Sequence, residues 1–275
     1  MNLNTIAEVK RPTSADQITQ WRDGYAWLAG GSWLFSEPQI STDTLIDLGR
    51  LNWPALGASP AGLDIAATCR VAELYRFAGP GEWRAVSLLR ECCNAFLASF
   101  KIWNAATVGG NICMSLPAGP MISLTVALDA IYTLWPRNAP PRDVHSVDFV
   151  TGNHTNILQP GELLRSIHLP ASALSKRFAF RHASLTHLGR SAALLIGTQD
   201  EDDLLLTITA ATPRPIQLRF AQVPSAAELR HAIDARIPAD GYFNDVHGSA
   251  AYKHHLTYYF AEQIRAELAQ PGARA

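Results

Sequence analysis

The chain has 275 residues, of which 48% are hydrophobic and 17% charged, with 23 Lys plus Arg against 24 Asp plus Glu. That composition supports a globular fold with a sizeable core and excludes a disordered chain. The balanced charge gives no electrostatic pull toward nucleic acid or an anionic membrane. No apolar run approaches the roughly 18 residues of a membrane helix. The opening MNLNTIAEVKRPTSADQ lacks the apolar stretch of a secretory leader. A soluble cytoplasmic protein is expected.

The first predicted element is a helix over SADQITQWRDG, with Ser14 and Gln17 at capping-box spacing and Gly24 as its end. YAWLAGG reads as a short strand that breaks at Gly30-Gly31. TLIDLG, residues 44–49, and LDIAATC read as two further strands, with Thr68 placed to cap a helix over RVAELYRFAG. In WRAVSLLRECCNAFLASF, Leu88, Leu89, Cys92, Cys93, Phe96 and Leu97 recur near 3.6 residues and predict a half-buried helix. The stretch NAATVGGNICMSLPAG, 104–119, then reads as a loop around the pair Gly109-Gly110. A helix over PMISLTVALDA and a strand over IYTLWP follow it.

Near residue 172 the pattern changes, and a boundary is expected at LPASALSK. RFAFRHASL, SAALLIGTQ and DLLLTITAATPRPIQLRF predict three strands, with an acidic turn at Asp200–Asp203 and with Pro213 and Pro215 weakening the end of the third. Two helices close the chain, SAAELRHAIDARI and SAAYKHHLTYYFAEQIRAELA. The final QPGARA is expected to fray.

Familiar catalytic and phosphate-loop signatures are missing: no G-x-S-x-G, H-E-x-x-H, Walker A or G-x-G-x-x-G occurs. Cys69, Cys92, Cys93 and Cys113 lack metal-site spacing and read as buried thiols. His182, His187, His254 and His255 read as surface or packing residues, since nothing in the sequence pairs them with a carboxylate or nucleophile. The two glycine pairs remain. Consecutive residues free to take positive φ can turn successive N–H groups inward as a nest for an anion, and Ser32, Thr107 and Asn111 would add side-chain donors. Two nests could hold the two phosphates of a dinucleotide; two ordinary turns would account for the same glycines.

LAGGSWL, AATVGGNIC, SLPAGPMISLTVALDA and DFVTGNHTNILQPGELLRSIHLP occur in an order that resembles the FAD-binding subunits of molybdenum hydroxylases, the carbon monoxide dehydrogenase medium chains and xanthine dehydrogenase flavin domains. RFAFRHASLTHLGRSAALLIG and GSAAYKHHLTYYFAEQIRAEL resemble the same family's C-terminal part. The resemblance implies an α+β fold: a two-part FAD-binding domain over 1–171, with a small α/β part and a mixed sheet gripping the flavin. A domain of a three-stranded antiparallel sheet and helices would follow over 172–275.

It further implies that Ala29, Gly30, Gly31, Ser32, Trp33 and Leu34 wrap the FAD diphosphate and lie along the flavin. Thr107, Gly109, Gly110 and Asn111 would make the second set of contacts. Leu164 would pack near the isoalloxazine, and Arg181 would sit close to it as a cation that stabilises reduced flavin. The chain departs from the family where Pro120 stands for a usual aspartate, Leu116 for a common serine, and Trp33 for a polar or acidic residue. The implied function is electron relay: a separate [2Fe–2S] subunit delivers electrons from a large molybdopterin-binding subunit, and FAD passes them to an external acceptor. No catalytic residue and no metal ligand is implied in this chain. A stand-alone flavin oxidoreductase and a flavin-free scaffold subunit are the alternatives.

Overall fold

The computed structural model describes residues 4–18, 20–96, 99–186 and 189–270; Leu97, His187 and the last five residues lie outside these ranges. Strands β1 (Glu8–Lys10), β2 (Tyr25–Leu28) and β3 (Thr44–Asp47) form a small parallel sheet in the order β1-β3-β2. After them come β4 (Leu56–Ser59), β5 (Gly62–Ala66) and a run of five helices: α1 (Val71–Arg76), α2 (Val86–Ala95), α3 (Phe100–Trp103), α4 (Val108–Met114) and α5 (Pro120–Ala127). Strands β6 (Ile131–Trp135) and β7 (Arg142–His145), helix α6 (Ser146–Phe149), the pair β8 (Val150–Gly152) and β9 (Thr155–Asn156), and β10 (Leu163–Pro170) follow. The order β4-β5-β10-β6-β7 makes an antiparallel sheet of five strands.

Helix α7 (Ala171–Leu174) leads into β11 (Arg177–Ser184), β12 (Ser191–Gln199), β13 (Leu204–Thr209) and β14 (Ile216–Phe220), and then into α8 (Ala226–Arg236) and α9 (Ala250–Leu268). The last four strands form an antiparallel meander. The sheet expected to have three strands thus has four. The segment read as one long strand breaks at Ala210, which takes a left-handed φ of 64°, and Pro213 and Pro215 follow in the turn.

Helix α5 is apolar nearly all round and every residue of it is buried, as such a pattern requires. It packs against α2, α4 and α6 on one side and β12 and β13 on the other. Its few hydroxyls are satisfied inside: Ser123 Oγ meets Thr209 Oγ1 at 2.6 Å, and Thr125 Oγ1 meets Tyr132 Oη at 2.6 Å. Strand β12 is buried along its whole length because α5 and α9 cover its two faces. Leu194 and Ile196 therefore face one hydrophobic core while Ala193 and Leu195 face another.

Two local readings give way to tertiary packing. The helix expected over 14–24 shrinks to a single 3-10 turn, Ala15–Gln17. Ser14 makes no side-chain cap there, and Gln17 Oε1 instead accepts from the Thr13 N–H at 2.8 Å. Trp21 leaves helical register to lie on Trp27, with ring centroids 4.7 Å apart. Helix α1 starts two residues beyond the expected cap Thr68: Arg70 holds the N-cap position, and its N–H donates to Glu73 Oε2 at 2.9 Å. In α2, Leu88, Leu89, Cys92 and Cys93 are all buried. His254 packs between the rings of Tyr242 and Tyr258, and His255 stacks on Tyr259.

Candidate functional site

A cavity of about 460 Å³ opens between the small parallel sheet, α4, the start of α5 and the start of β10. Pockets of this size bind small molecules and cofactors. Its wall holds Ala29, Gly30, Gly31, Ser32, Trp33 and Leu34 from the loop after β2, and Thr107, Gly109, Gly110 and Asn111 from the start of α4. Leu164, fully buried on β10, lines it as well. Every site residue expected from the sequence is brought to this wall except Arg181. That side chain ties β11 to α9: Nε donates to Gln263 Oε1 at 2.8 Å and Nη2 to Glu267 Oε2 at 2.5 Å. Among the described residues the cation in the wall is Arg190.

The glycine pairs do different work from each other. Gly31 takes a left-handed φ of 67°, which turns the chain sharply after β2. Gly30 has no room for a side chain, since a Cβ there would fall on the carbonyl oxygen of Ala105. In this loop the N–H groups of Gly30, Gly31, Ser32, Trp33 and Leu34 have no acceptor among the described residues. Five successive residues of the cavity wall thus keep backbone donors without an internal acceptor, which is what an anion nest would require.

The second pair does not form one. Stretch 104–119, expected to be a loop, contains α4, and Gly109 and Gly110 lie in its first turn without positive φ. Their amides are spent inside the protein: Val108 N–H donates to Cys69 O at 2.8 Å, Gly109 N–H to Ala67 O at 3.0 Å and Gly110 N–H to Thr107 Oγ1 at 3.1 Å. Gly109 is needed for close packing, because a Cβ would stand 2.5 Å from that of Ala67. At Gly110 a Cβ would meet only Thr107 Oγ1, at 2.8 Å, with open space otherwise.

Asn111 Oδ1 accepts from the Met121 N–H at 3.0 Å and so steadies the start of α5, leaving its amide nitrogen free to donate among the described residues. Pro120 occupies the first turn of that helix, where its missing N–H costs nothing. With Leu116 it presents hydrocarbon where the family resemblance expects polar groups.

Among the described residues two charged side chains line the cavity, Glu162 and Arg190. Glu162 is buried and held by a bidentate ion pair, Arg142 Nε to Oε1 at 2.7 Å and Nη2 to Oε2 at 2.9 Å, with the Gln159 N–H adding a third donor at 3.0 Å. Burial alone would raise its pKa, but Arg142 and Gln159 outweigh burial and hold the carboxyl below its ordinary value. The Trp27 indole N–H donates to the Glu162 carbonyl at 3.1 Å and so joins β2 to β10 beside the cavity. Burial pushes the Cys113 thiol, also in the wall, up to about 12, so it is a neutral lining group. Glu162 had one signal in the sequence, a lone acid within the apolar GELL. Arg190 had none.

Residues 5–172 match the family described as the FAD binding domain in molybdopterin dehydrogenase. The chain belongs to that family. The family is one of oxidoreductases, and this chain is an oxidoreductase subunit of it. Its curated relatives include the caffeine dehydrogenase subunit beta of Pseudomonas sp. (strain CBB1), 28% identical over 215 residues, covering 71% of this chain and 69% of that protein. Rice (Oryza sativa subsp. japonica) xanthine dehydrogenase is 32% identical over 120 residues, which are 40% of this chain and only 8% of that longer protein. Among solved structures, quinoline 2-oxidoreductase from Pseudomonas putida 86 superposes with a TM-score of 0.79 at 18% identity, over 97% of this chain and 98% of that one. Carbon monoxide dehydrogenase from Oligotropha carboxidovorans gives 0.78 at 21%, over 97% and 99%. These likenesses establish the fold of this molybdopterin-dehydrogenase family member along nearly its whole length.

Proposed function

We propose that this chain is the flavoprotein subunit of a molybdenum hydroxylase-type complex, binding one FAD non-covalently in the cavity. The observation that carries this reading is the row of amides at Gly30–Leu34, without an acceptor among the described residues and in the wall of a cavity that Gly110 also lines. The amides would hold the diphosphate, and Ser32, Thr107 and Asn111 offer polar side chains to the rest of the cofactor. FAD joins one-electron carriers to a two-electron acceptor, which is the chemistry a relay subunit requires. On this reading a separate [2Fe–2S] subunit supplies the electrons, a large molybdopterin-binding subunit oxidises the substrate, and an external acceptor takes the electrons away. The chain divides into a flavin-binding unit, 1–171, and a C-terminal unit, 172–275.

A flavin-free scaffold is the second reading, favoured by the hydrocarbon that Pro120 and Leu116 place in the wall. Titration of the purified chain with FAD decides between the two. Saturable binding with a flavin absorption band, released on acid denaturation, is expected. A chain that takes up no flavin would leave the scaffold. Co-purification with a cluster-bearing and a large molybdenum-type partner tests the relay; substrate oxidation by this polypeptide alone would refute it.

A further inference from the structure

Among the described residues the cavity carries one charge without an ion-pair partner. Glu162 is neutralised by Arg142, whereas among the described residues no carboxylate lies within ion-pairing distance of Arg190. Asp245, on the segment before α9, is already held by Lys253 Nζ at 2.9 Å and by the His247 N–H at 2.8 Å. Burial holds the His247 pKa below its ordinary value, Asp245 opposing the shift and the Arg190 and Lys253 cations adding to it. The Arg190 guanidinium lies 5.2 Å from the centre of the Trp33 ring, and the His154 ring packs 5.7 Å from the same indole. Trp33 belongs to the loop whose amides have no acceptor among the described residues, so the indole that carries the cation and the row of donors share one loop of the wall.

We propose that Arg190, oriented on the face of Trp33, is a second anion-binding group of this cavity and receives the diphosphate of a bound dinucleotide together with the Gly30–Leu34 amides. The inference rests on the reading of the cavity as a dinucleotide site. Neutral amides supply partial charges, which leave much of the negative charge of a diphosphate uncompensated. A guanidinium cannot lose its proton, and its planar fork matches phosphate oxygens. The indole face holds that fork by cation–π attraction without neutralising it. This accounts for an aromatic residue in a loop where the resemblance expects a polar one: Trp33 acts through the arginine it positions.

The test is calorimetric titration of flavin-stripped wild type, Arg190→Gln and Arg190→Lys with FAD, ADP and riboflavin, with melting curves as the fold control. Arg190→Gln is expected to weaken FAD and ADP each by about tenfold or more and to leave riboflavin unchanged. Arg190→Lys should fall between, and wild-type ADP binding should weaken more steeply with salt than that of Arg190→Gln. FAD and ADP affinities within about twofold of wild type would overturn the proposal. A loss for riboflavin as large as for ADP would do the same, because it would place the guanidinium at the ring. If Arg190→Gln melts well below wild type, Trp33→Leu replaces it: a smaller loss of ADP affinity is expected, and unchanged ADP affinity overturns the proposal. A wild type that binds neither FAD nor ADP defeats the dinucleotide reading itself, and the inference with it.

Discussion

Replacing Arg142 by Met tests how the cavity wall is held. The substitution keeps most of the hydrocarbon of the arginine and removes both charged donors from Glu162, whose side chain is 2% exposed while that of Arg142 is 40% exposed. Removing one partner of a fully buried ion pair costs about 3–5 kcal/mol. Solvent already reaches Arg142 and the Gln159 N–H bond survives, so a loss of about 2–3 kcal/mol is expected at pH 7. The sign of the pH dependence follows from the depressed pKa of Glu162. In the wild type the stabilisation is fully present above the ordinary value of 4.5 and is lost as pH falls through the lower folded value. In the variant burial is no longer opposed by Arg142, so the folded pKa of Glu162 rises and acid relieves the penalty by protonating the carboxyl. The difference between the two proteins should therefore be largest near neutrality and shrink toward about pH 4. Urea unfolding followed by tryptophan fluorescence at the two pH values measures it. Adding Glu162→Gln to the variant should recover part of the loss, because no charge is then left buried. A difference below about 1 kcal/mol at pH 7, or one that does not shrink in acid, would refute the reasoning.

Other outcomes follow from the same wall. Gly110→Val should lower FAD affinity by about tenfold or more and cost only about the 1 kcal/mol of a disturbed cap, since its Cβ would meet Thr107 Oγ1 alone; Gly109→Val should destabilise the fold more, against the Ala67 backbone, and the reverse pattern would contradict these roles. Pro120→Asp puts a carboxylate at the cavity and at the start of α5. A new charge-assisted hydrogen bond of about 1.5–3 kcal/mol would tighten FAD by roughly ten- to a hundredfold, and equal or weaker binding in the titration would remove the missing-anchor explanation. Burial raises Cys69, Cys93 and Cys113 to about 12 and Cys92 well above its ordinary value. Native protein should thus react slowly with a disulfide thiol reagent at mildly alkaline pH and rapidly in urea; a native thiol as fast as free cysteine would contradict that.

Much of this protein was legible along the chain because the physics involved is local. PMISLTVA has no polar face, so wherever it folds it must be buried, and α5 is. SAALLIGTQ lacks the alternation of a half-exposed strand, and β12 is covered on both sides. The glycine loops could be located as places where the backbone has freedom or needs room, and the family resemblance brought ten of their residues and Leu164 to one wall. What each glycine does depended on neighbours far away in sequence: Ala105 for Gly30, Ala67 for Gly109. The same holds for the two arginines near the β11–β12 connection. Arg181 lies within β11 and Arg190 just before β12, yet Gln263 and Glu267 of α9 claim the first while the second is left against Trp33. The capping signal at Ser14 failed for a related reason. A cap contributes about 1 kcal/mol, less than the stacking of Trp21 on Trp27 together with the apolar surface it covers. Sequence alone determined which segments are buried and where the backbone must be bare; only the tertiary structure decided which donors and which cation are left without a partner among the described residues, because pairing is settled by contacts between residues that local pattern cannot connect.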